Sequence, residues 1–463
     1  PEPPTEPAGI VSEATVVVND GFYRTSLTGE TFTVNYDGLG LKALEIDNDQ
    51  DNITNAIGSY DPRDITTLVV STAGGRNDSA GSFGKMLTIA QQNDAADLVG
   101  QSLFQELKFG NELGSVTGAT GTIVLQQELP KVRKPIVIDA SARYTLSTVT
   151  QALVIDGSRI TSSSEGTFVT RADEVNGLEL TAEASANVQD PFRPLESTVS
   201  SLRFGGFAQG SAVYVNGASN VLLDELIIGQ NTNGDSQASR YGIRIAGSSG
   251  AAGPVTIVNG EITSSLTPTN SLLAGANTLP ESVQTRVLDG AGVLIEGTAR
   301  NVQIVGTEVG STTAGNLIGV VSRSTHPYNA ADPDTIEVNS IGAAPIETFQ
   351  TNAQINSREL GISETDTRGN PINIRDVYVG QQVSGSDVVN GTTIVAVDYA
   401  TRTVTLSEAL LRTNQASSIG LETPGRTEIG QNFWGVTLEA GATRIVNTDI
   451  TDNVYDGVVI GNG

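Results

Sequence analysis

The sequence predicts an all-β chain wound as a β-solenoid, with a small N-terminal β region, a short capping helix and an inserted β module. Three observations predict it. The composition, with Gly 51, Pro 17 and only 5% aromatic residues, suits strands joined by many turns. A pattern of alternating apolar residues and small-residue turns returns at "AVYVNGASNVLLDELIIGQNTNG" (from Ala212), "GVLIEGTARNVQIVGTEVG" (from Gly292) and "GVTLEAGATRIVNTDITDN" (from Gly435). "GVTL" at Gly435 is followed by "GVVI" at Gly457, and 457 − 435 = 22 residues. A period of this length built from short strands and turns is the signature of stacked coils.

The elements follow in chain order. Residues 1–66 open with the Pro-rich acidic stretch "PEPPTEPAG", read as a linker, and continue with strand-like "ATVVV" and "ETFTVNY". Residues 67–120 form a cap whose helix is expected from Gly84 to Leu107, where apolar residues recur at spacings of three and four and Asn93 or Asp94 is available as a cap residue. Residues 121–322 are the main stack. In each coil the inward side chains, such as Val213, Val215, Val221 and Leu223, meet their counterparts one coil away. Asn220 and Asn301 both precede a second strand, where Asn tolerates the left-handed corner and can bond along the axis; Arg444 should break that ladder. Residues 323–429 carry "STHPYNAADPDT" and several short β runs, expected as a hairpin module projected from one coil. Residues 430–463 return to coils.

Charge narrows the function classes. Lys+Arg 26 against Asp+Glu 52 gives −26, spread along the chain, which repels nucleic acid and anionic lipid. Neither nucleic acid nor membrane insertion is expected, and no apolar run approaches the ~18 residues that span a bilayer. With Cys 0 there is no disulfide framework and no thiolate chemistry.

Several stretches resemble a known family, the right-handed parallel β-helix, pectin-lyase-like repeat domains of large bacterial surface and secreted proteins. The stretch from Gly81 to Asn93 is similar to the family's Gly-Ser-Leu-Arg-x-Ala-Ile-x-x-Ala-Asn segment. Gly121-Thr122-Ile123-Val124-Leu125, Leu129-Pro130 and Ile138-Asp139-Ala140 resemble the segments that follow it, and "IIGQNTNG" its Ile-Gly-Thr-Asp-x-x-Gly turns. The likeness covers about residues 68–320 and 430–463 and implies a right-handed parallel β-helix.

That resemblance implies polysaccharide lyase or hydrolase chemistry, which requires particular groups. Inverting hydrolysis needs one carboxyl as acid and another to activate water. The chain has Asn447-Thr448-Asp449 but no Asp-Asp pair and no Gly-His-Gly. "NVLLDEL" places Glu225 where pectate lyases resemble one another in a His, and the single His326 sits in a polar loop. No catalytic residue is expected. "DNDQDN" puts Asp47, Asp49 and Asp51 at alternating positions, as at the start of a Ca²⁺ loop, yet Asn52 and Gly58 replace the Gly and Glu that would complete it. A low-affinity extracellular Ca²⁺ site and a solvated acidic turn both fit.

The expectation is a non-enzymatic extracellular protein of a bacterial cell surface, a fibre subunit or adhesin. Its partners would be other copies of itself joined head to tail, and surface glycans; Ca²⁺ is the one candidate cofactor. The alternative is a carbohydrate-active β-helix, a polysaccharide lyase or hydrolase or a phage tailspike.

Overall fold

The computed structural model describes residues 44–47, 65–70, 73–79, 81–92, 104–109, 121–133, 135–140, 153–161, 174–181, 197–230, 237–247, 254–263, 290–310, 316, 318–324, 339–351, 357–399, 401–411, 417–440 and 442–461. The expected linker and the strand-like runs "ATVVV" and "ETFTVNY" lie outside these residues.

Short apolar segments bounded by small-residue turns cannot bury themselves singly, so they stack. They do so in three sheets of seven, ten and eight strands, and the chain visits each sheet once per coil. Ser211–Asn216, Val221–Asp224 and Ile227–Ile228 make one such coil. The next copies of these strands, Tyr241–Gly247, Val255–Val258 and Glu261–Ile262, pair with them in parallel. The fold is a parallel β-helix.

Inward columns hold it together. Val213, Ile243, Val293, Val320, Val436 and Val458 follow one another in register in the seven-stranded sheet. Val199, Leu223, Ile257, Ile304, Ile341 and Ile445 do the same in the ten-stranded sheet. Val213, Val215, Val221 and Leu223 are all buried, as the alternation requires. Each such side chain contributes roughly 1.5–3 kcal/mol on burial. One apolar cluster therefore runs from Val70 to Val436.

Close coil contact explains the glycine that opens each repeat. A Cβ on Gly435 would lie 2.4 Å from the Gly457 carbonyl oxygen, and one on Gly319 would lie 2.6 Å from that of Gly435. Among the described residues, glycine fills this tight column in every coil but one, where the buried Ala212 takes its place.

The corners differ in part from the expectation. Asn220 and Asn301 do take left-handed backbone (φ 52 and 56). Pro254 occupies the place between them, because Val221, Val255 and Val302 are in register, so no ladder joins the two asparagines. Arg444 is not their counterpart. It stands opposite Ser340, which stands opposite Gln303, because the turn of its coil is shorter by two residues (445 − 436 against 304 − 293). The true ladder lies at the corner that enters the seven-stranded sheet. Asn432 Oδ1 accepts from Asn316 N (3.0 Å) and Nδ2 (3.1 Å), and Asn453 Oδ1 accepts from Asn432 N (3.1 Å).

The helix is shorter than expected, Phe83–Gln92 rather than Gly84 to Leu107. Ser82 caps it, its Oγ accepting from Lys85 N at 3.2 Å. Phe104–Phe109 is a strand instead, paired in parallel with Ile65–Val70. There the period-2 pattern that buries Leu107 and Phe109 prevails over the helical spacing. Phe83 packs edge-on against Phe109, with ring centroids 5.3 Å apart. At the outer side Leu44–Asp47 pairs antiparallel with Ile65–Val70.

Of residues 323–429, the end of Ile318–Ser324, Asn339–Ile341 and the start of Thr427–Gly430 belong to the coil sheets. Between them lie two antiparallel three-stranded sheets. One joins Phe349–Thr351, Ser417–Leu421 and Val383–Gly385; the other joins Glu359–Gly361, Thr403–Leu406 and Ile394–Asp398. This module does not project. It lies along the outside of the ten-stranded sheet, and its core of Phe349, Leu360, Val377, Ile394 and Ile419 takes in Leu222, Val258 and Val305 from three successive coils. Each of those strands places one apolar residue outward beside a polar one, because the outward face is covered too.

Polar contacts fix the seam. Gln303 Nε2 donates to the carbonyl oxygens of Arg375 (3.3 Å) and Val377 (3.1 Å). Arg375 Nη1 donates to Asn301 Oδ1 at 2.6 Å, and its guanidinium lies 4.1 Å from the centre of the Tyr399 ring. Arg444 grips both oxygens of Asp376, at 2.6 and 3.0 Å.

Candidate functional site

On the seven-stranded sheet the residues that alternate with the inward column face outward. Glu179, Tyr214, Arg244, Leu294 and Val321 form one such row, and Glu296 and Arg323 stand side by side in another. A third row at the strand starts runs Tyr241, Ala291, Ile318, Trp434. One face therefore gathers aromatic rings, carboxylates and arginines.

Arg244 is the hub. Its guanidinium sits 4.8 Å from the centre of the Tyr214 ring and 5.8 Å from that of Tyr241. It also pairs with Glu174 and, at 2.5 Å, with Glu296. Arg323 binds the other oxygen of Glu296 at 2.7 Å. Glu179 accepts from Asn216 Nδ2 at 3.2 Å and pairs with Lys131 Nζ at 3.1 Å.

Burial opposes the charge on Glu296, but the hydrogen bonds and charges of Arg323 and Arg244 outweigh it and hold the carboxyl below its usual pKa. The same contacts hold Arg244 and Arg323 above theirs against desolvation. Burial pushes the Tyr214 hydroxyl up, with Arg244 opposing. A carboxylate clamped by two arginines is a poor proton donor, so Glu296 does not suit the acid role in glycoside cleavage.

Beside this network, Trp434 stacks on Tyr455 with centroids 4.9 Å apart, and Phe433 lies 6.1 Å from Tyr455. Tyr455 is exposed. Flat rings with neighbouring charged donors and acceptors can bind hydroxyl-rich or planar ligands.

The residues singled out in the sequence fall elsewhere. Asp47 ends the strand Leu44–Asp47 opposite Ile65, while Asp49, Asp51 and His326 lie outside the described residues. Among the described residues no group of three or more His, Asp or Glu is placed to hold a metal. Asn447 is a corner residue (φ 45) whose Nδ2 donates to the Ala343 carbonyl at 3.0 Å. Asp449 faces outward, opposite Glu428, and pairs with Arg426 at 2.5 Å. Glu225 is also a corner (φ 51), and it accepts from Ser201 Oγ at 2.9 Å.

Tyr241, Arg244, Glu296, Arg323 and Trp434 were missed in the sequence. Counting from the glycine of each repeat would have found part of the set, because Arg244 stands two after Gly242 and Glu296 and Arg323 stand four after Gly292 and Gly319. In comparisons with protein-family models, curated proteins and solved structures, the chain matches none of them.

Proposed function

We propose that the chain is a non-enzymatic, extracellular rod of a bacterial surface, a fibre subunit or adhesin of the pectin-lyase-like β-helix kind. The observation that carries this reading is the continuous parallel pairing of coil strands, from Phe104–Phe109 to Thr443–Ile445 in the ten-stranded sheet and from Leu178–Thr181 to Val458–Ile460 in the seven-stranded one, around one continuous core. Such a stack resists bending and holds its outward rows at fixed spacing, as a spacer or display scaffold requires. Its subunits join head to tail through strand edges.

Negative-stain electron microscopy of the native protein, with and without chelator, tests this. Elongated particles joining end to end at high concentration support it, and compact particles that never associate refute it. Loss of association on chelation would assign a role to Ca²⁺ at Asp47, Asp49 and Asp51. The companion test is calorimetric titration with millimolar Ca²⁺, where Asp49→Ala should abolish the heat.

A second reading is favoured by the outward aromatic face: Tyr214, Trp434 and Tyr455 with Arg244, backed by the buried Tyr241, would engage a surface glycan, either as an adhesin contact or as a carbohydrate-active site. Glycan-array binding lost in Trp434→Ala and Arg244→Ala supports the contact. Turnover of a bound polysaccharide would make the chain an enzyme and overturn the non-enzymatic part of the proposal.

A further inference from the structure

Asparagine followed by glycine can modify itself, because the next backbone nitrogen can reach the side-chain carbonyl and glycine offers no side chain to obstruct it. Six asparagines precede glycine: Asn176, Asn216, Asn233, Asn259, Asn390 and Asn462. Four of these pairs, all but those at Asn233 and Asn462, lie wholly among the described residues.

Three of the four are locked into the coil stack at both reacting groups. Gly177 N donates to the Ser211 carbonyl at 2.8 Å, and Asn176 Oδ1 accepts from Ser211 N at 3.0 Å. Gly217 N donates to the Ala246 carbonyl at 2.7 Å, and Asn216 Nδ2 to Glu179 at 3.2 Å. Gly260 N donates to Thr307 Oγ1 at 3.4 Å, and Asn259 Nδ2 to Asp224 at 3.3 Å.

Asn390 and Gly391 differ in the hydrogen bonding of both groups. They form an exposed turn of the inserted module between Val383–Gly385 and Ile394–Asp398. The turn is closed by Thr392 N donating to the Val389 carbonyl at 3.1 Å, which bypasses Gly391. Among the described residues no acceptor takes the Gly391 N–H, and no partner holds the Asn390 amide. Gly391 has φ 86, and nothing lies within 4 Å of where its Cβ would be.

We propose that Asn390 is a site of spontaneous, backbone-assisted deamidation, while the folded coils protect Asn176, Asn216 and Asn259. The Gly391 nitrogen, losing its proton to solvent base, forms a bond to Asn390 Cγ. The bond from Cγ to the amide nitrogen breaks and ammonia leaves, giving a cyclic imide. Water then opens the ring at either carbonyl, leaving aspartate or isoaspartate. No oxidant or cofactor is needed. Either product adds a carboxylate near Asp387, and isoaspartate lengthens the main chain just before Ile394, which is buried in the module core. The modification therefore loosens the module and leaves the stack intact.

The test is incubation of the intact native chain in mildly alkaline buffer, followed by site-resolved mass spectrometry for acid and isoaspartate, with a parallel sample in guanidinium. Native Asn390 should convert at least about tenfold faster than the three coil sites, a barrier difference of about 1.4 kcal/mol. In denaturant the four rates should converge. Native rates alike at all four sites, or an unreacted native Asn390 beside reacting denatured sites, would overturn the proposal. Asn390→Ser should remove the acidic variant that accumulates in the native module, and its persistence would count equally against the proposal.

Discussion

The coil stack and the inserted module are both β, yet they are stabilised in different ways. In the stack each inward residue sits on its own counterpart one coil away, as Leu223 does on Ile257, so packing repeats along the axis. The module has antiparallel ladders of three to five residues and completes its core only by borrowing Leu222, Val258 and Val305 from the wall. The stack is self-sufficient through repetition, whereas the module depends on docking. Perturbations inside the stack should therefore propagate to both regions, and perturbations at the seam should reach the module alone.

The largest effect belongs to the stack. Leu223→Ala opens a cavity beneath two neighbouring coils and should cost about 2–5 kcal/mol. Chemical denaturation followed by intrinsic fluorescence should show the midpoint falling for stack and module together. A module that kept its full stability in this variant would break the comparison.

Next comes the latch. Asp376 is buried, and Arg444→Ala leaves its carboxylate without the bidentate partner, at a cost of about 1–3 kcal/mol given the partial exposure of Arg444. Limited proteolysis should then cut within residues 349–421 while the coils resist. Asp376→Asn together with Arg444→Met should recover much of the loss.

The seam also responds to pH. Burial, aided by Glu225 and Glu422 and opposed by the hydrogen bond from Asn259, raises the Asp224 carboxyl to about 6. A pKa raised in the folded chain means that the protonated form favours the folded state, with the module's Glu422 adding the last and smallest cause. That contribution is complete below the ordinary carboxylate pKa and is lost as pH rises through about 6, on the order of 2 kcal/mol in all. Module unfolding monitored between pH 4 and pH 7.5 should show docking strengthen on acidification in that window. Asp224→Asn should flatten the profile, and an unchanged slope would remove Asp224 from the seam's energetics.

The smallest effect concerns the outward face. Glu296→Gln weakens a largely buried network but keeps a hydrogen-bonding side chain in place, and should change stability by about 1 kcal/mol. The same variant should alter any glycan binding by the aromatic face more than it alters melting.

This contrast also explains what was legible in the sequence. Val213, Val215, Val221 and Leu223 could be placed inward because period 2 and the small-residue turns are local signals. The 22-residue return from Gly435 to Gly457 places Val436 on Val458 for the same reason. Arg444 was misplaced because a turn lost two residues, which no local pattern records. The Asn316, Asn432 and Asn453 ladder was invisible because 116 residues separate its first two members. Module docking could not be read either. Apolar Leu222, Val258 and Val305 on outward positions signal a covered face, but nothing local names the cover. The ring of Tyr214, Arg244, Glu296 and Arg323 arises only once strands far apart in sequence are in register.

Hydrogen exchange on the intact chain, native and Arg444→Ala side by side, tests the central claim of a self-sufficient rod carrying a docked, separable module. The account predicts that amides of Val221–Asp224, Val255–Val258 and Val302–Val305 keep their protection in the variant, while those of Ile394–Asp398 and Thr403–Leu406 exchange faster as one group. Equal acceleration in both regions would show a single cooperative unit and contradict it.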